Sequence, residues 1–418
     1  MNRYLSFVAA EWRFLAFGLV VTLSSSFGQT FFVSLFADEF KATFALSNSG
    51  YGGLYSLATL ASAACLTWAG RKLDVMDLRR FAALIAVGLT LACWLVASAQ
   101  HAVWLGLGFF GLRLFGQGLM SHTGMTSMAR YYEGRRATAM SVASLGFALG
   151  EGVLPKLVLG ALVAQWLTWR EAWGLNGAVL LALQIPLVAW LLKGHTERHQ
   201  AFEARTAEEA KDTTRTFRRR QWTRGEVLKD PVFYMLLPAV LCNGFVLTGV
   251  LFHQLLLIEQ KGWSKELLGT CFVVFAVVRV ASSLLTGPVV DKLGSVRLLP
   301  TFLLPLSLGL GAVAVSDREL ALVALFAGSG LSIGFGANVT GAMWADVYGV
   351  LHLGAIRSMA TAVAVFATSL SPILLGVLFD TGLTVSTVCW LLGGYVAGAI
   401  VLVALASLTL LRRAKEAT

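Results

Sequence analysis

The stretch GPVVDKLGSVR, residues 287–297, decides how this chain is organised. It places Gly287, Asp291, Lys292, Gly294 and Arg297 in a short charged loop inside an otherwise apolar region. A degraded copy, GRKLD at 70–74, keeps Gly70 and Asp74 in the same G-x-x-x-D spacing, with Arg79 and Arg80 trailing it. Each copy follows an apolar run long enough to cross a ~30 Å hydrocarbon core. A loop recurring at the same place in two sets of apolar runs is the mark of an internal duplication, the way two-bundle transporters are built.

Twelve such runs are present, at 14–36, 50–70, 81–100, 102–127, 137–165, 173–192, 232–258, 267–290, 297–316, 320–343, 357–378 and 384–411. They fall six and six around the one long polar stretch, 194–230. The expected fold is therefore all-α and integral to the membrane: twelve transmembrane helices in two pseudo-symmetric six-helix bundles. The expected division is an N-terminal bundle over 1–193, a charged cytoplasmic linker over 194–230 and a C-terminal bundle over 231–418. With 57% hydrophobic and 13% charged residues among 418, the chain lacks the polar surface of a soluble globule. Ten-residue segments of alternating polarity, the mark of an outer-membrane barrel, are absent. The first run is long and has no small-residue cleavage site close behind it, so it is expected to remain in the mature protein.

The net charge of +10 invites a nucleic-acid reading, which the distribution of charge excludes. With the amino terminus inside, the outer loops hold only Lys41, Arg170, Lys261, Lys265 and Arg318 of the 33 Lys and Arg. That bias is the positive-inside rule and puts both termini in the cytoplasm. The run FRRRQWTR at 217–224 reads as a basic cytoplasmic loop or as an anionic-lipid patch. Cys65, Cys93, Cys242, Cys271 and Cys389 all fall in apolar runs and read as packing residues. No cofactor motif is apparent, and the absence of G-x-x-x-x-G-K-[ST] argues against ATP as the energy source.

Four ionisable residues lie well inside the runs: Arg113, Glu151, Lys156 and Arg279. At ~1.5 Å per residue, Arg113, Glu151 and Arg279 come near mid-bilayer. A lipid-facing charge there costs roughly 2.5–3.5 kcal/mol, so each needs a partner or a wet cavity. Helical spacing groups Arg113 with Gln117 and Ser121, Arg279 with Ser283 and Thr286, and Glu151 with Ser144. Ser25, Ser26, Gln29 and Thr30 in the first run, Asn243 in the seventh and Asn338 in the tenth add polar groups. Lys156 is expected to snorkel outward, and His122 and His253 to join helices by hydrogen bonds. Arg113 and Glu151 read either as a structural ion pair or as part of a site. Glu151 is the one midplane carboxylate for two midplane arginines, so Arg279 is expected to meet an anionic cargo, one arginine coming from each half.

The pattern G-x-x-x-D-[RK]-x-G-x-x-[RK] resembles the signature loop of the major facilitator superfamily, and the likeness extends over essentially the whole chain. It implies a cytoplasmic latch made by Gly287, Asp291, Lys292, Gly294 and Arg297, with Gly70 and Asp74 in the first copy. It also implies spans 1, 4, 7 and 10 around a central cavity and spans 2, 5, 8 and 11 at its gates. RLFGQG at 113–118, ARYYEGRRATAMS at 129–141 and DVYGVLHLGAIRSM at 346–359 look like the branch of monocarboxylate porters and oxalate:formate antiporters. Phe275 stands where animal monocarboxylate porters place an acidic residue. GFALGEGVLP, with Gly146, Gly150, Gly152 and Pro155, loosely resembles the glycine-proline helix of antiporters or is a bent packing helix.

These observations lead to a secondary transporter of a small organic anion, a monocarboxylate foremost, working in the bacterial inner membrane as a monomer by alternating access. Substrate-binding candidates are Arg279, Arg113, Gln117, Gln29 and Asn243; Glu151 is the candidate proton site, for symport with a co-transported proton. The rivals are an exporter of amphipathic drugs, suggested by Phe272 and Phe275 beside Arg279, and a non-transporting membrane sensor. An enzyme is disfavoured because no nucleophile–base pair or metal cluster has usable spacing.

Overall fold

In the computed structural model of the chain, residues 2–70, 72–132, 135–200, 202, 221–349 and 352–416 are described. Parts of the expected motifs lie outside them: the side chain of Asp74, residues Glu133 and Gly134, the RRR of the linker, and Val350 and Leu351. The described residues are helices, turns and loops, with no strand.

Among the described residues, ten helices are long and apolar enough to cross a membrane. They correspond to all the expected spans except the second and the ninth. The second is the helix Asn48–Ala69, whose Gly and Ser content dilutes its hydropathy. The ninth is the short helix Leu304–Val315, entered through turns at 299–303 with Pro305 in its first turn, where a missing N–H costs nothing. Helix starts are set by side chains that accept orphan amides: Asp77 for span three, Thr168 with Glu171 for span six, Asp230 for span seven and Ser264 for span eight.

The first span departs from expectation. A single helix over 14–36 was indicated by hydropathy, but the α-helix Asn2–Ser24 ends at a 3₁₀ turn, Ser25–Gly28. Gln29 is then extended (φ −79°, ψ 149°) before the short helix Thr30–Val33. Span four is also irregular, with Leu112–Met120 wound as a π-helix between α-helical Ala102–Gly111 and Ser121–Tyr131.

The chain clusters into two compact units. Unit one takes in the chain through Glu39 and again from Leu57 into the linker; unit two takes in Phe40–Ser56 and the rest of the chain from within the linker onward. Within unit one, span five (Arg136–Val163) lies along span one, with Gly146 facing backbone of Leu19 and Leu23. Within unit two, span eight (Lys265–Leu293) packs on span ten (Glu319–Tyr348), and the Asp380 carboxylate accepts the amides of Asn48 (3.1 Å) and Ser49 (2.8 Å). Tyr51 stacks on Phe252 at 4.4 Å in the same unit. Close packing through small residues is how helices associate where lipid removes the hydrophobic drive.

Candidate functional site

The break in span one organises unit one. Thr22, Ser24 and Ser25 turn their hydroxyls back on Leu19 O (3.0 Å), Val20 O (2.9 Å) and Thr22 O (2.6 Å). Such back-bonding competes with the helix ladder and loosens it. Gly28 then lets the chain touch span four: a Cβ there would meet Leu112 O at 2.1 Å, Gln117 N at 2.6 Å and Gly116 Cα at 2.8 Å. These partners are the backbone of the π-helix itself, so the two irregular segments are fitted to each other. Non-helical backbone at membrane depth is tolerated only when buried in protein or lining a cavity, and π-segments gather at functional sites.

Arg113 serves this junction. It is 8% exposed, and its Nη1 donates to Gly28 O at 3.3 Å and to Thr30 Oγ1 at 3.5 Å. Span five closes the third side: a Cβ on Gly150 would lie 1.9 Å from Ser26 Oγ, and Glu151 follows it, half-buried. Gln29 and Gln117 are half-buried beside the break. Ser26 Oγ and Gln117 Oε1 are buried with no hydrogen-bond partner among the described residues. The structure thus gathers Arg113, Gln117 and Gln29 around one interruption, with Glu151 next along span five from the Gly150 contact, which residue spacing alone did not reveal.

In unit two, the exposed apolar side chains along the middle of span eight include Val273, Val277, Leu284 and Leu285, a lipid-facing row. Arg279, Ser283 and Thr286 lie on the opposite side and are half-buried. Glycines of span ten bring its backbone against them: a Cβ on Gly330 would meet Arg279 N at 3.2 Å, and one on Gly334 would meet Arg279 O at 2.4 Å. Asn338 Nδ2 donates to Ser283 O (2.7 Å) and Thr286 Oγ1 (2.9 Å), locking the same face. Asn243 is occupied within its own unit, donating to Ser332 O (3.2 Å) and accepting from Ser332 Oγ (2.8 Å). Phe272 and Phe275 are buried, with Phe272 edge-on to Phe326 at 5.0 Å, so both act as packing beside Arg279.

The signature loop has the turn its glycine implies. Gly294 ends span eight at φ +82°, a conformation that favours glycine, and Ser295 Oγ donates to Asp346 Oδ2 at 2.6 Å. Asp291, Lys292 and Arg297 are exposed, and Gly287 is half-buried near Asn338. In the first copy Gly70 ends the helix of span two, and Asp77 after it makes an acidic contact: it accepts Arg79 N, pairs with Arg79 Nη2 at 2.9 Å, and so has its pKa lowered to about 2. An aspartate directly before an apolar run is a helix-start signal that marks it in the sequence. Lys156 is exposed; His253 Nε2 bonds Pro372 O (2.9 Å) across helices, whereas exposed His122 bonds Thr126 one turn along its own helix. All five cysteines are free, Cys65 exposed and the others buried.

Apolar spans in two units with polar junctions buried at mid-span define a multi-pass membrane protein of the transporter class. The family model of the Major Facilitator Superfamily matches residues 18–269 and 247–418, and the chain belongs to that family. It is accordingly a transporter of small molecules across a lipid bilayer, not an enzyme. Among solved structures it is similar to a bacterial homolog of the human lysosomal transporter Spinster. The inward-facing, occupied form is 16% identical over 99% of this chain and 97% of that one, with a TM-score of 0.61. The inward-facing, unoccupied form is 14% identical over 98% and 95%, with a TM-score of 0.59. At these identities the likeness is one of fold. No curated protein sequence matches the chain.

Proposed function

We propose that the protein moves a small organic anion, a monocarboxylate foremost, across the inner membrane by alternating access, as a monomer with both termini in the cytoplasm. The observation that carries this reading is the position of Arg279: mid-span, half-buried, on the side of span eight turned away from the lipid-facing row. A guanidinium there meets a carboxylate through two parallel N–H donors, which an ammonium cannot reproduce. The branch-like stretches RLFGQG and DVYGVLHLGAIRSM support a monocarboxylate.

In this reading Arg279 grips the cargo. Arg113 holds the broken span one in place, so that Gln29, Gln117 and Glu151 keep their positions around it, and Asn243 fixes span seven to span ten. Glu151 takes up the co-transported proton, and the loop of Asp291, Lys292 and Arg297 works as the cytoplasmic latch, with Gly70 and Asp74 in its first copy. Uptake of radiolabelled lactate, formate and oxalate by proteoliposomes tests the reading. Arg279→Lys should insert normally and lose most uptake; uptake at the unsubstituted rate, or efflux of amphipathic cations in place of acids, overturns it. Glu151→Gln should flatten the pH dependence of uptake with a smaller effect on KM, and an unchanged pH profile removes the proton assignment.

A further inference from the structure

A separate cavity of about 220 Å³ lies at the end of unit one where span one begins and span six (Trp169–Leu191) ends. It is lined by Glu11, Trp12 and Arg13 from one side and Lys193, His195 and Arg198 from the other. Two nitrogens are left over. His195 is 4% exposed, stacked on Phe14 at 5.8 Å and edge-on to Tyr131 at 5.0 Å, and its Nδ1 is buried with no hydrogen-bond partner among the described residues. Arg13 donates through Nη2 to Trp190 O, with its guanidinium 5.3 Å from the Trp190 ring, while its Nε is buried without a partner.

The charges are unevenly used. Arg198 pairs with Glu11 at 2.7 Å, donates through Nη1 to the Tyr132 hydroxyl at 3.1 Å and lies 4.3 Å over Phe14, so those two opposite charges answer each other. Among the described residues, Arg13 and Lys193 have no acidic partner and face the same space. Burial keeps His195 neutral at physiological pH, with its pKa lowered to about 4, so Nδ1 is free to donate without adding charge. A buried donor left unmade is expensive, and unexplained ones mark a missing partner.

We propose that this cavity binds a phosphate-bearing anion at the membrane surface, either the headgroup of an anionic phospholipid or a small soluble phosphate. The cations Arg13 and Lys193, with Arg13 Nε and His195 Nδ1 unpartnered among the described residues, match an anion with several acceptor oxygens. The space holds about seven waters at ~30 Å³ each and is below the ~300 Å³ of drug-sized pockets, which suits a headgroup. Trp12 and Trp190, 47% and 43% exposed with rings 5.6 Å apart, flank it as an interfacial aromatic pair, which favours the lipid as the source.

The test uses the purified full-length protein in an uncharged detergent, with short-chain phosphatidylglycerol, phosphatidylcholine, glycerol phosphate and inorganic phosphate as probes. Unfolding temperature is read against probe concentration. Phosphatidylglycerol should give a saturable rise, and Arg13→Gln and Lys193→Gln should weaken its apparent Kd about tenfold or more. Lys193 is exposed, so its replacement keeps the fold even if the Arg13 variant does not. Arg412→Gln, an exposed cation in unit two, should leave the response intact. An equal rise with glycerol phosphate or inorganic phosphate assigns the site to a soluble ligand. No saturable response to any phosphate probe, an equal response to phosphatidylcholine, or an unaltered Kd in Lys193→Gln overturns the proposal.

Discussion

Adding one methyl group at Gly28 tests whether the fitted junction of spans one and four holds unit one together. Alanine there puts its Cβ 2.1 Å from Leu112 O, 2.6 Å from Gln117 N and 2.8 Å from Gly116 Cα. Non-bonded heavy atoms settle near 3.5 Å, so the backbones must part by about an ångström. All three contacts are main chain, and no rotamer change relieves them. Gly28 is not among the glycines with positive φ, so conformational strain adds nothing and the whole effect is overpacking. Overpacking costs typically 1–3 kcal/mol, and a rigid backbone on every side places this case at about 3 kcal/mol. Gly160 in span five is the internal reference: a Cβ there meets nothing within 4 Å. Replacing it with alanine should stabilise by about 1 kcal/mol through helix propensity. Two identical chemical changes should therefore differ by roughly 4 kcal/mol. Unfolding of both variants in mixed micelles, followed by tryptophan fluorescence, measures the difference. If Gly28→Ala lies within about 1 kcal/mol of Gly160→Ala, the break is not a packed junction and Arg113 has no fixed carbonyl to hold.

Other perturbations separate the remaining contacts. Asp77→Asn keeps an amide acceptor at the start of span three but loses the ion pair with Arg79; the exposed pair should contribute no more than about 1 kcal/mol near neutral pH. Because the folded carboxylate titrates at about 2 instead of 3.8, the advantage of Asp77 over the Asn variant should be full above pH 4 and vanish as pH falls to 2, as read by thermal unfolding. His195 has the opposite chemistry. With Asp77, Arg79, Arg198 and His199 as its charged neighbours, its imidazole stays neutral in the fold down to about pH 4, while the unfolded chain binds a proton from 6.5. Stability should therefore decline as pH drops from 6.5 to 4, and His195→Gln should flatten that part of the profile in a melting series.

The broad architecture was legible because its signals are long and redundant. A run of about twenty apolar residues states its own length against the bilayer, and the last expected span, 384–411, falls within the helix Val385–Glu416 except for its first residue. The break in span one was not legible by the same means, since hydropathy averages over it. Its trace is the triplet Ser24-Ser25-Ser26 followed by Gly28, residue types that are also common in continuous membrane helices. The π-segment is harder still. Hydrophobic periodicity does not distinguish i→i+4 from i→i+5 bonding over nine residues, so the expected stripe of Arg113, Gln117 and Ser121 is altered: Arg113 is buried, and the other two are half-buried. Asp77 lies in a loop and His195 at the start of a helical stretch beyond the turn at 192–194, where meaning depends on which segment folds back against them, as the residues after span six do at Arg79 and Phe14.

Arg113 and Arg279 looked alike as charges, and the difference between them is a matter of backbone. Counting carboxylates leaves two arginines and one acid at mid-bilayer, a tally that treats the main chain as silent. A broken helix is not silent: the end of each segment exposes carbonyls that the ladder no longer takes. Gly28 O is such a group, and Arg113 takes it, so an interrupted span supplies part of a counter-dipole that no residue inventory contains. Span eight runs unbroken through Arg279 and offers no such group of its own. The two guanidiniums should therefore respond differently to the same replacement. Arg113→Lys, which loses the spread of donors across Gly28 and Thr30, should lower unfolding stability by about 1–3 kcal/mol. Arg279→Lys should act on uptake more than on stability. If both variants lose stability alike, the backbone of span one does not answer the charge of Arg113, and the two arginines share one structural role.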